Sequence, residues 1–341
     1  MPRILVVDAH RPDVRAVAEA AAALRAGRLV AFPTETVYGL GARASDASAV
    51  HRIFVVKGRP EHHPLIAHVE SEAAAAALAL AWPPSAARLA GAFWPGPLTI
   101  IVDRARHVPS EVAGGGDSIA VRAPAHPVAR ALLRELGEAI AAPSANRYQG
   151  VSPTLAAHVV KELGDGVDLV VDGGPCEAGI ESTVVDVRGV HPRVLRPGAT
   201  SMAALRALLP DIEAATSSAD GSTARASPGM DLRHYAPRAT LEVVEADDIA
   251  RTLERVVQPP GRAGLVFHSP RGRAAALAAS ASHDGILGVA LASEPDAYAR
   301  QLYRTLHDLD DAGVDVIVVQ GVPNDEAWWA VADRLRRGST E

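Results

Sequence analysis

Between Phe32 and Gly41 the chain reads Phe-Pro-Thr-Glu-Thr-Val-Tyr-Gly-Leu-Gly, and at 57–60 it reads Lys-Gly-Arg-Pro. These stretches set small hydroxyls and two cations at turns, a combination suited to a phosphate-bearing ligand. An ammonium is a compact, mobile point charge able to follow a polyphosphate, whereas a guanidinium clamps two oxygens in a fixed fork. Lysine is rare here: of 34 basic residues only Lys57 and Lys161 are lysine and 32 are arginine. A lysine kept at 57 points to a use for compact charge, and the plainer alternative is a residual surface lysine.

Further hydroxyls, an amide and arginines follow in order. They are Arg122 in Ala-Val-Arg-Ala-Pro, Ser144 and Asn146 in Pro-Ser-Ala-Asn, Ser152 in Ser-Pro-Thr, Ser182 in Glu-Ser-Thr, and Arg196 in Leu-Arg-Pro-Gly. Each has an ordinary reading alone. Thr34, Thr36 and Tyr38 suit strands and turns, Arg122 can be a surface arginine, and Ser144 and Asn146 can be caps. As a series they recur at the ends of expected strands, with no paired carboxylates, serine–histidine–acid arrangement or metal cage. Such a site binds and aligns rather than attacks. It suits nucleotidyl transfer, in which alignment and charge neutralisation supply most of the catalysis, with Mg2+ sharing the phosphate charge.

The elements that must position these groups follow from periodicity. Residues 12–27 read as an amphipathic helix ending at Gly27, 28–32 as a strand delivering Thr34 and Thr36 into a turn, and 47–56 as a helix. Glycine and proline just beyond it expose Lys57 and Arg59. Strands are expected at 65–69, 98–102, 118–122, 168–172 and 183–187, and helices at 71–80, 84–92 and 127–136, so that every polar cluster falls in a connection. Residues 211–226 have linker composition. Beyond them, strand-like runs at 240–245, 263–268, 286–291 and 314–319 alternate with helical runs, predicting a small parallel sheet. That part has no Gly-x-Gly-x-x-Gly turn, and Trp328 and Trp329 read as packing residues. Residues 227–237, Ser-Pro-Gly-Met-Asp-Leu-Arg-His-Tyr-Ala-Pro, read either as a lid that folds Tyr235 over a nucleotide or as a stiff spacer.

A chain of 341 residues exceeds one typical core, so two domains are expected. With 48% hydrophobic and 22% charged residues it is an ordinary folded composition. No apolar run is long enough to span a membrane, and the first residues lack a signal-peptide core, so a soluble cytoplasmic protein is expected. A lone Cys176 forms no internal disulfide. Net charge is −6, but residues 238–341 carry 11 basic and 16 acidic groups, leaving −1 for the rest. An anion site therefore belongs before residue 238, as a focused pocket rather than a surface for duplex nucleic acid.

Together with Pro-Leu-Ile-Ala-His, Trp-Pro-Gly-Pro-Leu-Thr and Glu-Ser-Thr-Val-Val-Asp, the motifs above form an ordered set that resembles the two-domain threonylcarbamoyl-AMP synthases. The resemblance is strong over residues 14–237 and rests beyond them on the βα pattern. It implies an α/β protein with a YrdC-like mixed twisted-sheet domain at 1–210, a linker and active-site lid at 211–237, and a smaller C-terminal Rossmann-like parallel-sheet domain at 238–341. It implies condensation of L-threonine, bicarbonate and ATP into threonylcarbamoyl-adenylate and pyrophosphate, for modifying the adenosine beside the tRNA anticodon. Carried over by motif, Lys57 and Arg59 would be catalytic, and Thr36, His68, Arg122, Ser144 and Ser182 would bind threonine. Arg59, His63, Ser118, Asn146, Ser152, Arg196 and Tyr235 would bind ATP. Its partners would be the threonylcarbamoyl-transfer machinery and, weakly, tRNA itself.

Two departures bear on ATP contacts: His63 stands where the family usually has asparagine, and Tyr148-Gln149 where it has Ser-Gly. Other readings stay open. One is an RNA- or tRNA-binding module. The other is a carbamoyl-transfer enzyme of the hydrogenase-maturation type, whose acylphosphatase and zinc-finger segments are not found in these 341 residues.

Overall fold

The computed structural model describes residues 1–215, 233–256, 261–282 and 285–339. Contacts gather them into two compact units. One holds 1–148 with the described part of 152–230, the other 149–151 with the described part of 231–341. Most of the expected linker and the start of the 227–237 segment lie outside the described residues.

The first unit opens with β1 (Arg3–Val6) and α1 (Val14–Arg25), the latter capped by Asp13, whose carboxylate accepts from the N–H groups of Arg15 and Ala16. β2 (Val30–Phe32) and β3 (Gly39–Arg43) pair antiparallel around the loop 33–38. α2 (Ala47–Lys57) starts on Asp46 and stops at Gly58, whose left-handed backbone turns the chain. There follow β4 (Ile66–His68), α3 (Glu72–Leu78), α4 (Pro84–Phe93), β5 (Leu98–Asp103), β6 (Ser118–Arg122), α5 (Pro127–Leu136) and β7 (Ile140–Ala142). The unit closes with α6 (Ala156–Leu163), β8 (Leu169–Asp172), β9 (Thr183–Asp186), β10 (Arg193–Arg196), α7 (Met202–Leu208) and β11 (Glu213–Ala214).

Among the described residues these strands form one mixed sheet, ordered β1-β8-β2-β3-β7-β4-β6-β5-β9-β10-β11. α1 and α5 lay Ala20, Leu24, Val128, Leu132 and Leu136 onto Val30, Phe32, Ile140 and Val171. Burying each such large side chain contributes about 1.5–3 kcal/mol. For the site, register is what counts: β4 pairs parallel with β6, setting His68 beside Arg122, and antiparallel with β7, setting His68 beside Ile140.

The structure corrects three expectations. Lys57 and Arg59 are not exposed beyond a helix end: Lys57 is the last residue of α2, and the two are only 3% and 6% exposed. The Gly58 turn lets Arg59 N–H return to the Phe54 carbonyl, which folds both side chains inward. Nor does every polar cluster fall in a connection, since His68, Arg122 and Arg196 close β4, β6 and β10 while still paired in the sheet. A laddered backbone gives a long side chain a fixed origin that a free loop does not. Finally, β1, β3 and α6 were not foreseen, nor was β11, which lies in the expected linker, and β1 exists because Arg3–Val6 pairs with Leu169–Asp172.

The second unit runs β12 (Thr240–Val244), α8 (Ile249–Val256), β13 (Ala263–Phe267), α9 (Pro270–Ser282), β14 (Ile286–Ala290), α10 (Pro295–Asp311), β15 (Val316–Gln320) and α11 (Trp329–Gly338). Its strands are all parallel in the order β12-β15-β13-β14, the alternation read from the sequence. Ile249, Leu253, Leu265, Phe267, Ile286 and Val318 form its core. Trp328 is buried against His268 and Tyr298, a packing role as expected. Among the described residues no helix is long and apolar enough to cross a membrane.

Gln149 and Tyr235 both take left-handed backbone, at φ 68° and 62°. They are tied together, because the Ala236 N–H donates to the Gln149 carbonyl at 2.9 Å. A left-handed residue with a Cβ is strained, which gives a physical reason for glycine at 149. Gln149→Gly should raise the unfolding free energy by up to about 1 kcal/mol, the strain relief being partly offset by the entropy glycine loses on folding. Thermal or denaturant unfolding of the variant checks this, and a fall in stability would count against the strain.

Candidate active site

The loop 33–38 is shaped by its own hydroxyls. Thr34 Oγ1 accepts from the N–H groups of Thr36 and Val37 at 3.2 Å, donates to the Val37 carbonyl at 2.6 Å and lies 2.8 Å from Thr36 Oγ1. This is the local turn that threonine favours. Tyr38 N–H donates to the Pro153 carbonyl and Ala145 N–H to the Tyr38 carbonyl, so the loop is sewn to the segment after β7.

Arg122, 3% exposed, is held on three sides. Its Nε donates to the Gly96 carbonyl at 3.3 Å, one terminal nitrogen donates to Thr36 Oγ1 at 2.9 Å, and the other lies 2.8 Å from Glu35 Oε1. Burial pushes the Glu35 carboxyl up, but the charge of Arg122 and its hydrogen bond leave it below its ordinary value. His68, beside Arg122 in the sheet, is pushed down to about 3 by burial and then by Arg122, and is neutral near pH 7.

A second group gathers at the end of β7. Lys57 Nζ donates to the carbonyls of Ser144, at 2.7 Å, and Asn146. Burial first, then the charge of Arg59, holds Lys57 well below the ordinary lysine range, with Glu162 acting in the other direction. Arg59 donates to the Pro64 carbonyl at 3.1 Å. Buried His63 meets Tyr148 edge to face, with ring centroids 5.5 Å apart, and Tyr148 N–H donates to the Lys57 carbonyl. The two departures from the family pattern, His63 and Tyr148, thus touch one another.

In a third group Arg196 donates to the Ser182 carbonyl at 2.9 Å and to Ser182 Oγ at 3.1 Å, and Ser182 Oγ lies 2.7 Å from Thr99 Oγ1. Ser152 Oγ donates to Glu181 Oε1 at 2.6 Å. Gly96 and Pro97 link this group to the first: Gly96 carries the carbonyl that Arg122 uses, and the Pro97 carbonyl accepts from Thr183 N–H.

Of the residues proposed from sequence, Thr36 with Arg122, Ser182 with Arg196, and Lys57 with Ser144 and Asn146 are in direct contact, and His68 adjoins Arg122. Ser118 opens the strand that Arg122 closes, about 13 Å away along it. Tyr235 belongs to the second unit, stacked on Tyr303 with the Arg334 guanidinium 4.8 Å from its ring centre. Glu35, Thr99 and Glu181 were missed as site residues. Glu35 had a signal, being the one acid in a stretch of hydroxyls.

A wide mixed sheet with buried cations gathered on the segments around β4, β6 and β7, in a chain that also carries a small parallel sheet, defines a YrdC-like α/β enzyme. One family model, Sua5–YciO–YrdC, described as "Telomere recombination", matches residues 22–198, and the model "Threonylcarbamoyl-AMP synthase, C-terminal domain" matches residues 200–340. The threonylcarbamoyl-AMP synthase of Pyrococcus abyssi is 40% identical over 324 residues, 94% of this chain and 93% of its own. That of Bacillus subtilis is 36% identical, with 95% and 92% covered. The crystal structure of P. abyssi Sua5 complexed with L-threonine matches with a TM-score of 0.90 at 37% identity, covering 98% of this chain and 97% of that one. The chain belongs to the two-domain threonylcarbamoyl-AMP synthase family.

Two outcomes follow from this geometry. A Cβ on Gly198 would fall 2.4 Å from the Glu181 carbonyl oxygen and 2.5 Å from the Thr183 nitrogen, so Gly198→Ala should cost about 1–3 kcal/mol of stability. Unchanged denaturant unfolding would show that the turn can yield. His68 is held neutral far below its ordinary 6.5, so the unfolded chain binds the extra proton. Stability should therefore be lost as pH falls from 6.5 towards 3, with a slope of up to about 1.4 kcal/mol per pH unit from this residue. His68→Gln should flatten that limb in pH-dependent unfolding, and an unaltered limb would remove His68 as its source.

Proposed function

We propose that this protein condenses L-threonine, bicarbonate and ATP into threonylcarbamoyl-adenylate and pyrophosphate, the adenylate serving tRNA modification beside the anticodon in the cytoplasm. The observation that carries the reading is the separation of two kinds of buried cation. Arg122 is paired with the Glu35 carboxylate and flanked by Thr36 and neutral His68, a charge-balanced setting suited to a free amino acid. Lys57 lies with Arg59 near the Ser144–Asn146 turn and meets only carbonyl oxygens among the described residues, a setting suited to a polyphosphate.

The chemistry asks little of the side chains beyond placement. Once its ammonium has given a proton to solvent, the threonine amine adds to carbon dioxide with loss of a second proton, or to bicarbonate with loss of water, to give a carbamate, whose oxygen attacks the α-phosphorus in line while pyrophosphate leaves. Arg122 and Thr36 hold the threonine end, and Ser182, itself fixed by Arg196 and Thr99, lines it. Lys57 and Arg59 draw charge from the leaving pyrophosphate. No group of three His, Cys, Asp or Glu able to hold a metal occurs among the described residues. In this reading Mg2+ would come with ATP and would share the phosphate charge.

The test is pyrophosphate release by the purified full chain, expected only when threonine, bicarbonate and ATP are all present. Release that ignores threonine or bicarbonate would refute the reading, and RNA binding without release would favour a binding module. Arg59→Ala and Lys57→Ala should each lower kcat by about a hundredfold or more. Arg122→Lys, which loses the fork, should raise KM for threonine about tenfold while leaving that for ATP unchanged.

A further inference from the structure

The reading above gives Glu35 only the task of balancing Arg122, and half of its carboxylate is left over. The side chain is 9% exposed, and Oε1 is committed to the ion pair. Neither oxygen makes a well-aligned hydrogen bond, and Oε2 lacks the ion pair that Oε1 has, while the backbone of Glu35 and Ala125 favours the ionised form. A buried carboxylate oxygen without a donor is costly, and such an atom beside a ligand site points to a donor that arrives with the ligand.

The other groups that act on Glu35 do not fill this place. His68, His126 and Cys176 make no hydrogen bond to either oxygen, and Arg122 reaches Oε1, Thr36 and Gly96. Arg122 and Glu35 thus present one positive and one negative charge side by side. A free α-amino acid carries the same two charges in complementary order.

We propose that Glu35 Oε2 receives the α-ammonium group of the amino acid whose carboxylate lies on Arg122, so that the pair recognises a zwitterion. This rests on the amino-acid reading of Arg122 given above. It makes Glu35 a binding residue that selects against α-hydroxy acids and N-acylated amino acids. The ion pair with Arg122 keeps the carboxylate charged for that task, and no proton changes hands in binding.

Calorimetric titration of the full chain with L-threonine, the α-hydroxy analogue of threonine and ATP tests the proposal. Wild type should bind threonine at least about tenfold more tightly than the analogue, the expected worth of a charge-assisted hydrogen bond. Glu35→Gln should lose about ten- to a hundredfold for threonine and little for the analogue, with ATP affinity unchanged. Threonine affinity within twofold of wild type would overturn the proposal. So would equal losses for both ligands, which would make Glu35 only a brace for Arg122. Should the variant fail to fold, the wild-type comparison still decides, because an analogue that binds as tightly as threonine refutes recognition of the ammonium. Threonine-dependent pyrophosphate release in wild type alongside either contrary result would sink this inference alone, whereas wild type that binds no amino acid would sink the functional reading with it.

Discussion

The contact between Arg122 and Glu35 constrains much of the first unit. Taking a guanidinium out of water is expensive unless an opposite charge and hydrogen bonds meet it. Here Arg122 is 3% exposed and Glu35 7%. Removing either partner leaves a buried uncompensated charge, at a cost of about 3–5 kcal/mol, whereas an apolar replacement of both can be neutral. The pair is therefore weak as a source of stability and strong as a source of position. It fixes the loop 33–38 against the end of β6, and through the Gly96 carbonyl it fixes the turn that leads into β5.

The same reasoning distinguishes Lys57. Its ammonium is buried as deeply but faces carbonyl oxygens instead of a carboxylate, while Arg59 adds like charge. Carbonyl dipoles satisfy its N–H groups without neutralising it, so the charged form is held at a disadvantage. A polyanion restores that balance in the proposed reaction. One cation is thus balanced within the chain and another is left for the ligand to balance, and that difference follows from which partner each side chain meets.

Much of this was legible in the sequence, though unevenly. The helices α1 and α5 and the βα alternation of the second unit rest on local periodicity, and their limits fall within a few residues of those expected. β1 rests on nothing local, because the residues that make it a strand are 166 positions away, Leu169 opposite Arg3. The motifs named Thr36, Arg122, Ser182 and Arg196 as ligand-facing groups, but not that Thr36 binds Arg122 or that Ser182 binds Arg196. Those contacts join residues 86 and 14 positions apart. Burial of Lys57 and Arg59 escaped for a related reason. Gly58 and Pro60 signal a helix end, and whether the chain beyond turns to solvent or to the core depends on carbonyls supplied by residues 144 and 146.

Most of the contacts that set the site run through backbone groups. Arg122 uses the Gly96 carbonyl, Lys57 those of Ser144 and Asn146, Arg59 that of Pro64, and Arg196 that of Ser182. A carbonyl in a fixed turn cannot swing to a new partner as a side chain can, so each cation has its origin set by the fold and at least one of its nitrogens held by the main chain. In a reaction without a protein nucleophile, rate depends on keeping reacting groups in line, and small displacements are costly. The proline- and glycine-rich stretches Trp-Pro-Gly-Pro and Leu-Arg-Pro-Gly then have a physical reason to be where they are. They hold the carbonyls, and the close backbone approach at Gly198, that keep guanidinium groups at fixed places along the sheet.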